Sequence, residues 1–330
     1  RNETLVLIDD GNNISGNLIY KPTKIISIKD YTLTKEYGKD EYEVQGNKII
    51  RTTNSTMPYF TLEQLNGKNL DPNYALSTYQ AKEPGTEIVF TEGVGIVMHQ
   101  IAVTYEHNDE WTGKKPVPHP TAFNNVKTKL NNKEEVNVVV NGDSIFTGAN
   151  ASSKLGIAPF LEDFPTLFTN YLKEKYETEV NLINTSVGGM LSDFGKDNVM
   201  ANVNAHNPDL VIIGYGMNDG SFGVAPGKYI ENIEFMIRSI RANNPNADIM
   251  IVSTILPNPL SIQNKNQKDY LKPMEELSEQ YNVALVDMTS ISETLYKTKR
   301  GVDILANNIN HPSDFLVRIY AAALITVFGD

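Results

Sequence analysis

The chain lacks cysteine, contains a single tryptophan and has no long basic run among its 330 residues. Without cysteine it forms no disulfide, no zinc–thiolate site and no thiol nucleophile. The absence of cysteine also gives no indication of whether the protein works in an oxidising or a reducing compartment. The 29 Lys and Arg residues against 40 Asp and Glu give a net charge of −11, and the longest basic run is Lys114-Lys115. We therefore expect no nucleic-acid partner, because neutralising phosphates requires a clustered basic face.

Long apolar runs are missing as well. The nearest candidate, residues 320–328, falls short of the roughly 20 residues that a membrane-crossing helix needs, so no transmembrane segment is expected. The composition, 40% hydrophobic and 21% charged, is ordinary for a folded globular protein. The length favours two domains over one. Because the chain starts at Arg1 and not at Met, we expect that a leader, if there was one, has been removed.

The first third of the chain has a β-type pattern. Short apolar runs alternate with turn pairs such as Gly11-Asn12, Gly46-Asn47 and Gly67-Lys68. This pattern is typical of a β-sandwich, so residues 1–125 are predicted to form an N-terminal, jelly-roll-like accessory domain. The polar, proline-rich residues 108–120 are interpreted as the segment that crosses between domains.

The rest of the chain alternates between apolar runs and helical periodicity. The runs begin 30 to 44 residues apart, the spacing that a strand, a crossover helix and a parallel strand require. We predict an α/β fold for residues 126–330, namely a flavodoxin-like three-layer domain with a five-stranded parallel sheet. The predicted strands are residues 136–140, 180–183, 210–213, 249–253 and 284–286.

Small polar residues and glycines follow the first three predicted strands. Ligands of open α/β sheets bind beyond the carboxyl ends of the strands, so these segments are expected to meet at one edge. A histidine lies in a similar polar segment just before the last predicted helix. The segments are Gly142-Asp143-Ser144, Gly188-Gly189, Gly216-Met217-Asn218-Asp219 and Asn307-Asn308-Ile309-Asn310-His311.

These side chains suit acyl transfer. Ser144 can attack a carbonyl carbon if His311 removes its proton, while Asn218 binds the developing oxyanion. The N–H groups of Ser144 and Gly189 complete that oxyanion site. Such a set needs neither a metal nor a cofactor. Each segment alone is also an ordinary turn signal, and it is their order along successive strand ends that favours the catalytic interpretation.

With these motifs the chain resembles the SGNH hydrolase superfamily, also called GDSL esterases and lipases, over roughly residues 133–330. The β-rich region in front is similar to that of two-domain bacterial members such as family-2 carbohydrate esterases. The resemblance implies that Ser144 is the nucleophile and His311 the general base, with Ser144, Gly189 and Asn218 forming the oxyanion hole. Asp143 and Asp219 are interpreted as acceptors that brace the loops, not as metal ligands.

One position departs from the family pattern. The family usually has Asp three residues before the histidine, whereas this chain has Asn308. In the serine-protease template, Asp to Asn at the corresponding position costs roughly 10⁴-fold in rate. The group that orients His311 is therefore left open between Asn308, a backbone carbonyl, Asp303 and Asp314. For Asp314 we favour a structural role in the first turn of the last helix.

The expected function is hydrolysis of carboxylic esters through an acyl-Ser144 intermediate, with O-acetyl or another short acyl group on a carbohydrate as substrate. An O-acyltransferase using the same serine is one alternative. The other is an inactive carbohydrate-binding surface protein, for which Asn308 argues. An extracellular or cell-surface location is expected and the cytoplasm stays open, as do the oligomeric state, the acyl chain length and whether Trp111 packs or holds a sugar.

Overall fold

The computed structural model describes residues 1–329, with strands dominating its first third. We call residues 1–106 the front part and residues 124–329 the α/β part. The front part contains one short α-helix, α1 (Leu62–Leu65), and three 3₁₀ turns at Lys39–Glu41, Pro72–Tyr74 and Val97–His99. Its strands are β1 (Glu3–Asp9), β2 (Ile14–Asn17), β3 (Lys24–Lys29), β4 (Tyr42–Gln45), β5 (Lys48–Arg51), β6 (Tyr59–Thr61), β7 (Ser77–Gln80), β8 (Glu87–Phe90) and β9 (Gln100–Glu106).

The strands of the front part form one curved sheet and one hairpin. The sheet has the antiparallel order β3-β9-β1-β2-β5-β4, β6 pairs in parallel with β1, and β7 and β8 form the separate hairpin. Ile28 of β3 and Ile49 of β5 lie far apart in the sheet order, yet they share one buried cluster with Leu5 and Leu7 of β1. The sheet must therefore curve around this cluster. The prediction of a β-sandwich in this region is confirmed in that the N-terminal part is rich in antiparallel strands.

The opposite face of β1 is buried as well. Val6 and Ile8 alternate with Leu5 and Leu7 along the strand and pack into a second cluster that includes Val302 of the α/β part. Because neither face of β1 meets solvent, the four central residues of the strand, 5–8, are all apolar.

The α/β part contains five strands and helices that alternate with them, as the spacing of apolar runs predicts. The strands are β10 (Val136–Gly142), β11 (Val180–Asn184), β12 (Leu210–Gly214), β13 (Asp248–Val252) and β14 (Ala284–Val286). The helices are α2 (Asn124–Asn131), α3 (Ser152–Leu155), α4 (Phe164–Tyr176), α5 (Ser192–Asn202), α6 (Met217–Ser221), α7 (Pro226–Asn243), α8 (Leu271–Tyr281), α9 (Met288–Leu295), α10 (Gly301–Ile304) and α11 (Asp314–Phe328).

The five strands are parallel and lie in the order β11-β10-β12-β13-β14, which confirms the predicted five-stranded sheet. Side chains alternate between its faces. Along β12, Leu210 and Ile212 pack with α2, α4, α9 and α11, while Val211 and Ile213 pack with α5, α7 and α8. The α/β part thus has the three layers that the sequence predicts. Within residues 1–329 no helix is both long and apolar enough to cross a membrane.

A buried polar contact joins the two parts. Lys299 Nζ lies 2.7 Å from Glu3 Oε1 and donates to the carbonyl oxygen of Asn17 at 2.9 Å. The neighbouring Asp303 accepts a hydrogen bond from the backbone N–H of Val6 at 2.8 Å. Burial raises the pKa of Asp303. Lys299 and Asp303, which precede α11 in the chain, therefore attach the α/β part to β1.

The segment between the parts runs along the surface of the α/β part. Trp111 is half-buried against the core that contains α11, and Lys114 forms ion pairs with Glu275 and Asp287. Packing thus accounts for the position of the indole ring, one of the two roles left open for Trp111.

Candidate active site

The serine loop begins where β10 and β12 end side by side. Gly142 is paired with Gly214, and the N–H of Asp143 donates to the carbonyl oxygen of Gly214 at 3.1 Å. Gly214 carries no side chain because the Phe146 ring fills that space: a Cβ at position 214 would lie 1.8 Å from the ring. This close packing turns the chain immediately after Gly142 and leaves Ser144 partly exposed at the sheet edge.

His311 lies within hydrogen-bonding distance of Ser144. The distance between His311 Nε2 and Ser144 Oγ is 2.9 Å, and the imidazole is otherwise nearly buried. The backbone of the histidine loop is held by a fully buried amide: Asn307 Oδ1 accepts the N–H groups of Ile309, Asn310 and His311 at 2.9 to 3.0 Å. One side chain therefore fixes the turn that presents the imidazole.

Two groups contact the other imidazole nitrogen. Asn150 Oδ1 lies 2.5 Å from His311 Nδ1, and Glu92 Oε2 lies 3.3 Å from the same atom. An oxygen at this distance accepts the Nδ1 proton and leaves Nε2 free to accept the proton of Ser144. Asn150 belongs to the α/β part, whereas Glu92 comes from the front part, just after β8.

The three side chains that the sequence left open as orienting groups make other contacts, and none of them contacts an imidazole nitrogen of His311 within residues 1–329. Asn308 donates to the carbonyl oxygen of Val89, and its own oxygens accept from Asn258. Its backbone has φ +64°, in the left-handed region.

The carboxylates of Asp303 and Asp314 are bound to backbone amides. Asp303 accepts the N–H groups of Val6 and Arg300, in the contact between the two parts. Asp314, whose pKa burial raises, accepts the N–H of Ser152 at 3.0 Å. The preference for a structural role of Asp314 thus agrees with its contacts, although its acceptor function is directed at α3 and not at its own helix.

The predicted oxyanion donors belong to the segments that follow β10, β11 and β12. Gly189 has φ +78°, and within residues 1–329 neither its N–H nor that of Ser144 donates to a protein acceptor. A Cβ at Gly188 would lie 3.7 Å from Ser144 Cβ, so this loop borders the serine directly. Asn218, at the start of α6, donates from Nδ2 to the carbonyl oxygen of Met190 at 3.0 Å, which ties α6 to the loop that carries Gly189.

Two buried carboxylates lie beneath these loops. Burial and the nearby Asp219 raise the pKa of Asp143 to about 7, although Asp143 accepts the N–H of Ile145. Burial also raises the pKa of Asp219, which accepts both the N–H and the hydroxyl of Ser192. Both carboxylates bind atoms of the loops that carry Ser144 and Gly189, as expected for bracing acceptors.

Sequence reasoning missed Asn150, Asn307 and Glu92. Asn307 lay in the segment that was singled out, and its spacing of two to four residues before the bonded N–H groups is an Asx-turn signal. Asn150 had a weaker signal, because it follows Ser144 by only six residues in a glycine-containing loop. For Glu92 the sequence contains no signal, since it lies in another region and no spacing links it to His311.

Apart from Glu92, the residues of the site lie within the part of the chain that matches a known family. The model of the GDSL-like lipase/acylhydrolase family matches residues 140–315, more than half of the chain. An arylesterase of Vibrio mimicus is 30% identical over 121 residues, which cover 37% of this chain and 56% of that relative.

Solved structures provide further comparisons. A two-domain esterase active on acetylated mannans has a TM-score of 0.50 at 19% identity, covering 62% of this chain and 51% of that one. A Parabacteroides merdae protein described as a GDSL-like lipase has a TM-score of 0.50 at 17% identity, covering 60% and 97%. At these identities the likeness shows the fold. The chain spans about half the length of the arylesterase and of the mannan esterase.

Proposed function

The chain belongs to the GDSL-like lipase/acylhydrolase family, and from this premise we propose that it is a serine esterase that hydrolyses carboxylic esters. The observation that carries the proposal is the 2.9 Å hydrogen bond between Ser144 Oγ and His311 Nε2. A hydroxyl is a weak nucleophile at neutral pH, and an adjacent imidazole with a free nitrogen lone pair activates it.

The reaction follows from these positions. Ser144 Oγ attacks the ester carbonyl carbon while His311 Nε2 takes the hydroxyl proton, and the carbonyl oxygen becomes an oxyanion. The N–H groups of Ser144 and Gly189 and the side-chain amide of Asn218 stabilise that oxyanion. The C–O bond to the leaving alcohol breaks as His311 returns the proton to its oxygen. Water then attacks acyl-Ser144 by the same route and releases the carboxylic acid.

The substrate we propose is a carbohydrate that carries O-acetyl or other short acyl groups. Two observations support this choice. Val187, Gly188 and Gly189, which border the serine, are exposed, so a bulky alcohol such as a glycan can approach. The fold also resembles that of an esterase active on acetylated mannans. A polysaccharide substrate fits an exported enzyme, and we propose that location.

We also propose that the chain divides into an accessory domain, residues 1–125, and a catalytic domain, residues 126–330. The support is the change from a mainly antiparallel sheet to a parallel sheet on either side of a segment without helices or strands. An O-acyltransferase with the same serine is the second candidate, because a sugar hydroxyl can replace water in the attack on acyl-Ser144 and the bordering loop is exposed.

Acetate release and ester turnover test the proposal. The purified protein is assayed on p-nitrophenyl acetate, butyrate and octanoate and on acetylated mannan and xylan, beside Ser144→Ala. We expect hydrolysis that is fastest for the acetyl ester and falls at least about 10³-fold in the variant. Acetyl transfer to added oligosaccharide in excess of hydrolysis would favour the acyltransferase. Activity that persists in Ser144→Ala, or no activity on any of these esters, would overturn the proposal.

A further inference from the structure

A carboxylate of the front part reaches the imidazole of the α/β part. Glu92 Oε2 lies 3.3 Å from His311 Nδ1, and Glu92 is the only carboxylate within 4.0 Å of either imidazole nitrogen in residues 1–329. Asp143 and Asp314, the acidic residues nearest in sequence to the serine and the histidine, bind backbone amides instead. The negative charge missing at position 308 is thus present at this site, but it comes from outside the matched region 140–315.

The position of Glu92 is fixed by its backbone and by its side chain. Asn150 Nδ2 donates to the carbonyl oxygen of Glu92 at 2.9 Å, and Asn307 Nδ2 lies 3.4 Å from Glu92 Oε1. The turn after β8 is closed by a hydrogen bond of 2.9 Å from the N–H of Gly93 to Thr91 Oγ1. The residues that hold the histidine loop and its Nδ1 atom, Asn307 and Asn150, therefore also hold Glu92.

Glu92 is charged at neutral pH. Partial burial tends to raise its pKa. Hydrogen bonds from His311 and Asn307 and the attraction of a protonated His311 outweigh burial, so the pKa lies below its usual value. The side chain is 59% exposed, and solvent therefore weakens its attraction for an imidazolium. A moderate effect on the reaction is expected, not that of a fully buried triad carboxylate.

We propose that Glu92 is a positioning residue for the esterase reaction and shares the role of third member of the triad with Asn150. Asn150 Oδ1 accepts the Nδ1 proton and selects the tautomer of His311. The Glu92 carboxylate then stabilises the positive charge that the ring gains when Nε2 takes the proton of Ser144; the Nδ1 proton stays on the ring throughout. This inference rests on the proposed function, and it makes the front part a component of the active site.

The variants Glu92→Gln and Glu92→Asp test the role of the charge. Glu92→Gln keeps the length and hydrogen-bonding capacity of the side chain and removes its charge. We expect kcat for p-nitrophenyl acetate to fall about 10-fold with KM unchanged, far less than the roughly 10⁴-fold of a buried triad carboxylate, because Asn150 remains and Glu92 is partly solvated. Glu92→Asp should recover part of kcat. The matched control is Glu87→Gln, at the other end of β8, which should behave as wild type.

The pH profile distinguishes this role from a purely structural one. A nearby carboxylate favours a protonated imidazole, so its removal should move the acid limb of the kcat/KM profile to lower pH. Placing a carboxylate directly on Nδ1, as Asn150→Asp in the Glu92→Gln background, should return the limb toward its original position. Thermal unfolding of each variant should match the wild type within about 2 °C.

Each outcome decides the inference separately from the proposed function. A Glu92→Gln variant with wild-type kcat and an unshifted pH profile overturns it, and so does a change confined to KM, which would mean contact with substrate. Loss of kcat that only parallels loss of thermal stability also overturns it. Ser144→Ala, measured in the same series, tests the esterase itself: if it is inactive while Glu92→Gln is normal, the inference alone fails.

Discussion

Each part of the molecule buries one histidine, and the two imidazoles have opposite surroundings. His99 of the front part stacks on Phe60 at a centroid distance of 3.9 Å, its Nδ1 lies 2.7 Å from the carbonyl oxygen of Gly95, and burial lowers its pKa. His311 of the α/β part is similarly buried, but it lies between a hydroxyl, an amide and a carboxylate. Burial is therefore common to both, and only the groups that face the two ring nitrogens separate a packing histidine from a candidate base.

The largest expected difference concerns these two histidines. His311→Gln should lower kcat/KM for p-nitrophenyl acetate at least about 10³-fold, because no group then takes the serine proton. His99→Gln should keep that activity and lower the free energy of unfolding by about 1–3 kcal/mol through lost ring packing and a strained buried amide. Steady-state kinetics and urea unfolding of both variants measure this. Similar losses of kcat/KM in the two variants would contradict the distinction between His311 as a candidate base and His99 as a packing residue.

The next effect concerns the buried ion pair between the parts. Lys299→Met should reduce the free energy of unfolding by about 3–5 kcal/mol, because Glu3 is left buried without its counter-charge. Adding Glu3→Gln should restore part of that loss. Lys268→Met is the control: its pair with Glu293 is exposed, and the unfolding midpoint should not move. Equal midpoints for Lys299→Met and wild type would mean that the pair does not hold the parts together.

The third comparison concerns how the free energy of unfolding depends on pH for a buried carboxyl and for an exposed one. The folded protein raises the pKa of Asp143 from 3.8 to about 7, so its ionisation favours unfolding. Wild type should match Asp143→Asn in stability below pH 4 and lose stability relative to it as the pH rises to 7, by up to about 4 kcal/mol. Urea unfolding at pH 4 to 8 measures this difference.

The exposed Asp10 of the front part provides the opposite sign. Hydrogen bonds from the N–H groups of Asn13 and Asn12 lower its pKa, so its carboxylate favours the folded state above pH 4. Asp10→Asn should therefore be less stable than wild type at neutral pH and equal to it in acid. Parallel stability curves for wild type and Asp143→Asn would contradict the assigned direction for Asp143.

The smallest effect compares two glycines. Gly11 and Gly189 both have positive φ, +86° and +78°, and a Cβ would meet no atom within 4 Å at either. Alanine at each position should cost about 1 kcal/mol of stability through backbone strain. Only Gly189→Ala should also lower kcat, by about 10-fold, since its N–H is a proposed oxyanion donor. Equal activity of the two variants would remove Gly189 from that role.

The sequence predicted most of what is local in the α/β part. Each predicted parallel strand lies within two residues of an observed one, because buried parallel strands read as continuous apolar runs. The closeness of Ser144 and His311 was predicted for a related reason. Ser144 follows a strand and His311 precedes a helix, and parallel topology brings such positions to one edge of the sheet.

The groups that orient His311 could not be predicted from the sequence. The prediction searched near position 308, where the family has its acid, whereas the observed oxygens belong to Asn150 and Glu92. Glu92 is separated from His311 by more than 200 residues, and its approach depends on how β8 packs against the histidine loop, for example through Val89 and Asn308. A contact between two separately patterned regions leaves no periodicity or spacing in either one.

The short stretch around α10 connects the front part to the histidine loop. Lys299 and Asp303 fasten it to β1 of the front part, and Leu305 forms an isolated bridge with Pro312, directly after His311. A tilt of the front part relative to the parallel sheet would accordingly be transmitted over a few residues to the imidazole. The distance between the imidazole of His311 and the hydroxyl of Ser144 thus depends on the contact between the front part and the α/β part.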